Sequence, residues 1–161
     1  MLYRLRAPLI GLLCLYAPIA PTQAANLPAL TDLRADLAEV RTRKAPLLVL
    51  FYASYCHYCR QVESEFLEPM SRNPDIARSL LIRRVSLDGL DIVIDTDGRE
   101  IEASAFARRY HVRFAPTVLL LGPEGQVLAP PVIGLTNPDF YGGDLDRAIA
   151  QARARLLGKE R

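Results

Sequence analysis

The sequence predicts a single mixed α/β domain preceded by a short leader. Two continuous apolar runs, Leu47–Tyr52 and Thr117–Leu121, have the length and the flanking breakers of buried central strands. Helical periodicities lie before, between and after them, with apolar residues at Leu33, Leu37 and Val40 and again at Leu145, Ile149, Ala152 and Leu156. Half of the 161 residues are apolar and 24% are charged, enough to bury one core.

The first 24 residues read as a secretory signal outside that domain. Arg4 and Arg6 form a positive start, Pro8–Ala20 is an apolar run too short to span a bilayer comfortably, and Thr22-Gln23-Ala24 supplies small residues for cleavage. An uncleaved N-terminal anchor is the alternative, and Leu12-Leu13 before Cys14 argues against a lipidation site. Residues 25–161 are then the domain, expected in the periplasm or membrane-anchored and facing it. Loss of Arg4 and Arg6 takes Lys+Arg from 20 to 18, against 18 Asp+Glu, so the mature chain is near neutral and offers no basic surface for nucleic acid. Loss of Cys14 leaves Cys56 and Cys59 as the only cysteines.

Along the domain, Thr31 reads as the cap of a first helix, whose basic residues Arg41, Arg43 and Lys44 suit its C-terminal end. The apolar run 47–52 follows, then a helical pattern from Arg60 to Glu68. There Val62 and Phe66 form the inner face, Glu63, Glu65 and Glu68 the outer face, and Pro69 a kink or stop. Asn73-Pro74 starts a short helix, and Leu80–Leu87 is the next strand. Residues 92–94 and 100–101 form a hairpin around Asp95-Thr96-Asp97-Gly98, a turn rather than a calcium loop because Val93 and Ser104 occupy ligand positions. Ser104 caps a helix over 105–110. Val127 begins a strand running toward Ile133, and the last helix starts after Asn137-Pro138 or Gly143. Phe51, Tyr52 and Phe66 are expected in the core, and His111 at a helix end.

The chemistry centres on Tyr55-Cys56-His57-Tyr58-Cys59-Arg60, where strand gives way to helix. A thiolate is the attacking species in disulfide exchange, and a helix N-terminus favours negative charge. Cys56 is therefore expected to be the nucleophile, and Cys59, one turn on, the resolving thiol. Protonated His57 would further favour the thiolate. Structural zinc needs four ligands, and only His57 and His111 could add to the cysteines. Covalent haem needs His after the second cysteine, where Arg60 stands. A structural disulfide remains open, although a four-residue ring restrains little chain entropy.

These residues resemble the thioredoxin superfamily. The resemblance covers about residues 30–157. It rests on the strand and loop LLVLFYASYC, on Cys56-His57-Tyr58-Cys59, and on Tyr110–Thr117 with Ala115-Pro116-Thr117 before an apolar strand. CRQVESEFLEPM and TNPDFYGGDLDRAI look more narrowly like exported bacterial thioredoxin-related proteins of the SoxW kind. The resemblance implies a thioredoxin-like fold, with a central mixed sheet of four to five strands flanked by helices. It implies a cis bond before Pro116, a substrate segment laid along Tyr55, Ala115 and Pro116, and redox tuning by His57 and Tyr58. It also implies a monomer without cofactor or metal, exchanging with protein thiols and disulfides, with reduction the expected direction and a membrane protein as electron donor. The alternative is a non-enzymatic module with a structural or copper-handling pair, although copper-delivery relatives space their cysteines more widely and add a distant His. The chain departs from thioredoxins in carrying Tyr55 for Trp, His57-Tyr58 for Gly-Pro, and Leu50 for a buried Asp six residues before the first cysteine. Arg84 stands near a family Lys. The missing carboxylate leaves a glutamate or water to take the proton of Cys59.

Overall fold

The run Leu47–Tyr52 forms strand β1 and is apolar on both faces because both are covered. A computed structural model describes residues 27–158, so the leader reading lies outside the described residues. Strand β2 (Leu81–Ser86) lies parallel to β1, whereas β5 (Thr117–Leu121) is antiparallel to β1 and β6 (Val132–Ile133) antiparallel to β5, in the order β2-β1-β5-β6. Strands β3 (Ile92–Ile94) and β4 (Glu100–Glu102) form a separate two-stranded sheet. This is a thioredoxin-like α/β fold.

Side-chain alternation along β1 divides the core into two layers. Leu48 and Leu50 join Val62, Leu67, Tyr141 and Leu145 on one side. Leu47, Val49 and Phe51 join Leu33, Leu37, Val40 and Phe106 on the other. Helix α1 (Leu33–Arg43) covers the second face with α5 (Ala103–Arg109), where Phe51 and Phe106 stack with ring centroids 5.8 Å apart. The first face is covered by α6 (Pro138–Leu156) and by a long helical run. That run comprises α2 (His57–Gln61), a π-helical segment (Val62–Leu67) and α3 (Glu68–Arg72). Helix α4 (Pro74–Ser79) leads into β2. The outer edge of β2 is paired by the N-terminal segment, with Leu30 N–H donating to Arg84 O and Arg84 N–H to Pro28 O, both at 2.9 Å. No helix among the described residues is long and apolar enough to cross a membrane.

Several local expectations are corrected. Asp32, not Thr31, caps α1, its carboxylate accepting from Ala35 N–H at 3.1 Å. The helix does not stop at Pro69. Glu68 N–H bonds Glu63 O five residues back, and the widened turn gives the proline ring room where a regular turn would clash with the carbonyl four residues before it. Glu63 is buried, unlike Glu65 on the outer face. Helix α5 begins at Ala103 after Glu102, without a side-chain cap from Ser104. The return strand reduces to an isolated bridge from Val127 to Leu121 plus the two residues of β6. Asn137 caps α6, accepting from Asp139 N–H at 3.0 Å. Phe51 is fully buried, while Tyr52 and Phe66 pack partly exposed against the core.

Candidate functional site

The sheet register gathers the expected site at one edge. Because β1 and β2 run parallel, their C-terminal ends, Tyr52 and Ser86, lie side by side. The antiparallel β5 begins at that edge, with Thr117 opposite Phe51, and Ile133 of β6 lies opposite Thr117. The loops after β1 and β2, the approach to β5 and the end of β6 therefore converge.

Cys56 is the N-cap of α2. Its amide donates to Ala53 O at 3.1 Å, and its Sγ accepts from Cys59 N–H at 3.1 Å. A sulfur in this position faces the free amides and positive end of the helical run, the local setting that favours a thiolate. Cys56 and Cys59 are joined in a disulfide, with Cα atoms 5.3 Å apart. The two sulfurs differ in access: Cys59 is only 2% exposed, whereas Cys56 is half-buried. Exposed aromatic side chains flank the pair in sequence, Tyr55 at 82% and Tyr58 at 56%. The His57 ring lies edge-on to Tyr58 at 5.9 Å.

The Ala115–Pro116 peptide is cis. Pro116 is buried and Ala115 half-buried. Gly134 N–H donates to Pro116 O at 2.8 Å, and Thr117 Oγ1 donates to Phe114 O at 2.8 Å. Phe114 is 67% exposed. His111 is an exposed residue with positive φ just past α5, a helix-end residue as expected. Among the described residues, no three or more His, Cys, Asp or Glu side chains are grouped to hold a metal ion.

Two polar arrangements escape sequence reasoning. The Asp88 carboxylate, in the loop after β2, accepts from Ser54 N–H at 3.0 Å and Ser54 Oγ–H at 2.6 Å, and from Ser86 Oγ–H at 2.9 Å. It ties down the loop that presents Cys56. The Ser54 hydroxyl, then its amide, hold the carboxyl below its ordinary range. The second is an ion pair under the helical run: Arg84 Nη1 donates to Glu63 Oε1 at 3.0 Å, and Leu27 N–H reaches the same oxygen at 3.3 Å. The Arg84 guanidinium also lies 5.1 Å from the centre of the Tyr52 ring. The sequence singles out Arg84 but not its partner, and in the register it lies opposite the apolar Leu50.

Residues 33–142 match the family model described as thioredoxin-like domain. The chain belongs to the thioredoxin-like domain family. Trxlp of Edwardsiella tarda is similar at 26% identity over 69% of this chain and 91% of its own, with a TM-score of 0.50. Mitochondrial thioredoxin 3 of Saccharomyces cerevisiae, in its oxidised form, shares 21% over 77% and 93%, also at 0.50. A mutant thioredoxin of Halobacterium salinarum shares 22% over 76% and 91%, again at 0.50. These last two likenesses speak for the fold alone. No curated protein sequence matches the chain significantly. With a Cys-x-x-Cys pair joined at the head of its helix, this thioredoxin-like protein is a thiol–disulfide oxidoreductase.

Proposed function

We propose that residues 25–161 are an exported, periplasmic reductase of protein disulfides, supplied with electrons by a membrane protein. The observation that carries the assignment of roles is the unequal access of the two sulfurs, Cys56 half-buried and Cys59 2% exposed, with only Cys56 at the helix cap. In the reduced protein, the Cys56 thiolate attacks one sulfur of a substrate disulfide, and the other leaves with the bonding electron pair and takes a proton. Cys59 then attacks Sγ of Cys56, the mixed disulfide breaks, and the second substrate sulfur leaves as a thiol. The substrate has gained two electrons and two protons, and the enzyme carries the Cys56–Cys59 bond found here.

The exposed side chains of Tyr55 and Phe114 border this site on the surface. An extended substrate segment lies along Ala115 and Pro116 as an added strand, with Tyr55 against its side chains. His57 and Tyr58, between the cysteines, set the potential of the pair. Export follows from the leader pattern in residues 1–24.

The test is capture and turnover. Mature protein should accelerate dithiothreitol-driven insulin reduction. C59S should hold substrate proteins as mixed disulfides through Cys56, and C56S should hold none. Capture that requires Cys59 would reverse the roles, and inactivity in both insulin reduction and oxidative refolding would remove the enzyme reading. The reduction potential measured against glutathione then fixes the direction, a strongly reducing value marking a reductase.

A further inference from the structure

The approach to β5 does more than lead to the cis peptide at Ala115–Pro116. Just before that peptide, the segment from Tyr110 to Phe114 closes one side of a cavity of about 130 Å³. Thr117 and Leu119 of β5 form its floor, and Pro131 and Ile133 form its other wall. The polar groups of the lining are already used: Tyr110 Oη–H donates to Gly125 O at 2.9 Å, and Thr117 Oγ1–H to Phe114 O at 2.8 Å. The interior therefore offers apolar contact, with the exposed side chains of Phe114 and Ile133 at its border. Its volume is close to the ~150 Å³ of an apolar cavity that takes up benzene, so one aromatic or branched aliphatic side chain fits.

The rim carries basic groups without partners. His111 and Arg113 line the cavity and are exposed, and neither side chain has an ion-pair or hydrogen-bond partner among the described residues. No lining residue is acidic. His111 also holds a place that suits glycine. The amides of His111 and Val112 close the end of α5 on Arg108 O and Ala107 O, both at 3.0 Å, and this closure puts His111 at a φ of 56°. The helix end does not need a side chain there, and the one present is an imidazole on the cavity rim.

We propose that this cavity is a side-chain subsite for the protein substrate. It takes an aromatic or branched aliphatic residue with an acidic neighbour, at least two residues from the exchanging cysteine. The proposal rests on the exchange chemistry and the added strand argued above, and gives them a sequence preference. An added strand gains affinity from its main chain and specificity from pockets for alternate side chains. Phe114 adjoins Ala115, so a strand laid along Ala115 and Pro116 continues across the border of the cavity. Alternate side chains of a strand stand about 7 Å apart, which reserves the cavity for a residue beyond the one next to the cysteine. The acidic neighbour meets Arg113 and His111 at the wet rim, where charge favours encounter more than it adds affinity.

Mature C59S protein keeps Cys56 as its only thiol, so it stops after the first exchange. The probes are synthetic peptides whose single cysteine carries a thionitrobenzoate mixed disulfide. The Cys56 thiolate attacks the peptide sulfur, the bond to thionitrobenzoate breaks, and the coloured thiolate leaves with the electron pair, because the thiol of lower pKa leaves faster. One Phe is moved stepwise along the peptide, with Glu or Lys beside it. At one spacing of two or more residues, the second-order rate constant should exceed that of the Phe-free peptide at least about tenfold, as partial burial of an aromatic ring allows. Glu beside Phe should react about threefold faster than Lys, and salt should remove that difference. I133A and H111G should each lower the ratio of Phe to Phe-free peptide, and R113E should reverse the order of Glu and Lys. H111G should melt at the same or a higher temperature, since glycine suits that backbone. A ratio near one at every spacing would overturn the subsite, as would a Phe preference that I133A and H111G both leave unchanged. Absence of release from every peptide would instead count against the oxidoreductase reading itself.

Discussion

Replacing Asp95 by Asn should weaken the fold without touching the redox edge. The Asp95 side chain is buried where the turn of the β3–β4 hairpin meets α5. Its carboxylate receives Arg109 through Nη1 at 2.6 Å and also through Nη2, and accepts from Thr96 N–H at 2.7 Å. Arg109 chiefly, and more weakly the Thr96 amide, lower its pKa from 3.8 to about 2. In the fold the group stays ionised to a lower pH than in the unfolded chain. Its contribution is therefore complete above 3.8 and is lost as pH falls through about 2. The difference corresponds to at most about 2.5 kcal/mol. Because Arg109 is 44% exposed, solvent screening reduces the expected cost of D95N to about 1 kcal/mol. Urea unfolding at neutral pH should show that loss, equivalent to about 4 °C in Tm. The gap to the unsubstituted protein should close as pH is lowered through 3.8 toward 2, and insulin reduction at neutral pH should be unchanged. No loss at neutral pH, or a gap that does not narrow on acidification, would refute the reasoning.

Two further substitutions probe the site and the core. D88N should leave circular dichroism native but slow turnover about tenfold, because the Cys56 loop loses its charged anchor at Ser54. The unsubstituted enzyme should lose the same anchor reversibly only below the ordinary carboxylate range, since Ser54 holds the Asp88 pKa down, and a D88N variant of full activity would show that the anchor does not matter. Y141F should be at least as stable as the unsubstituted protein in thermal unfolding, because the buried Tyr141 hydroxyl has no hydrogen-bond partner among the described residues, and a loss of stability would mean that the hydroxyl is satisfied.

What was legible in the sequence is what repeats locally. Leu47–Tyr52 and Thr117–Leu121 could be read as central strands because burial on both faces removes polar alternation, and the cysteine pair because its spacing and its place between strand and helix are themselves the chemical pattern. Boundaries failed where two neighbours could do the same job. Thr31 and Asp32 both suit an N-cap, and the reach of the Asp32 carboxylate to Ala35 decides between them. Pro69 was legible as a disturbance, but a widened turn absorbs it and the helix continues.

Partners remote in sequence were the illegible part, and they are also what makes the site more than a disulfide. Helical periodicity placed Glu63 outward with Glu65 and Glu68, because a charged residue is costly to bury alone. It is not alone: β2 supplies Arg84, 21 residues later, and the N-terminal segment supplies the Leu27 amide. The same parallel pairing of β1 and β2 that brings Arg84 beside Leu50 also brings Asp88 to Ser54, 34 residues earlier. One register thus positions both partners, fixing the exposed loop of Cys56 from two residues beyond β2 and supplying the buried Glu63 carboxylate with its cation from within it. A sequence pattern confined to the segment around Cys56 and Cys59 contains neither partner.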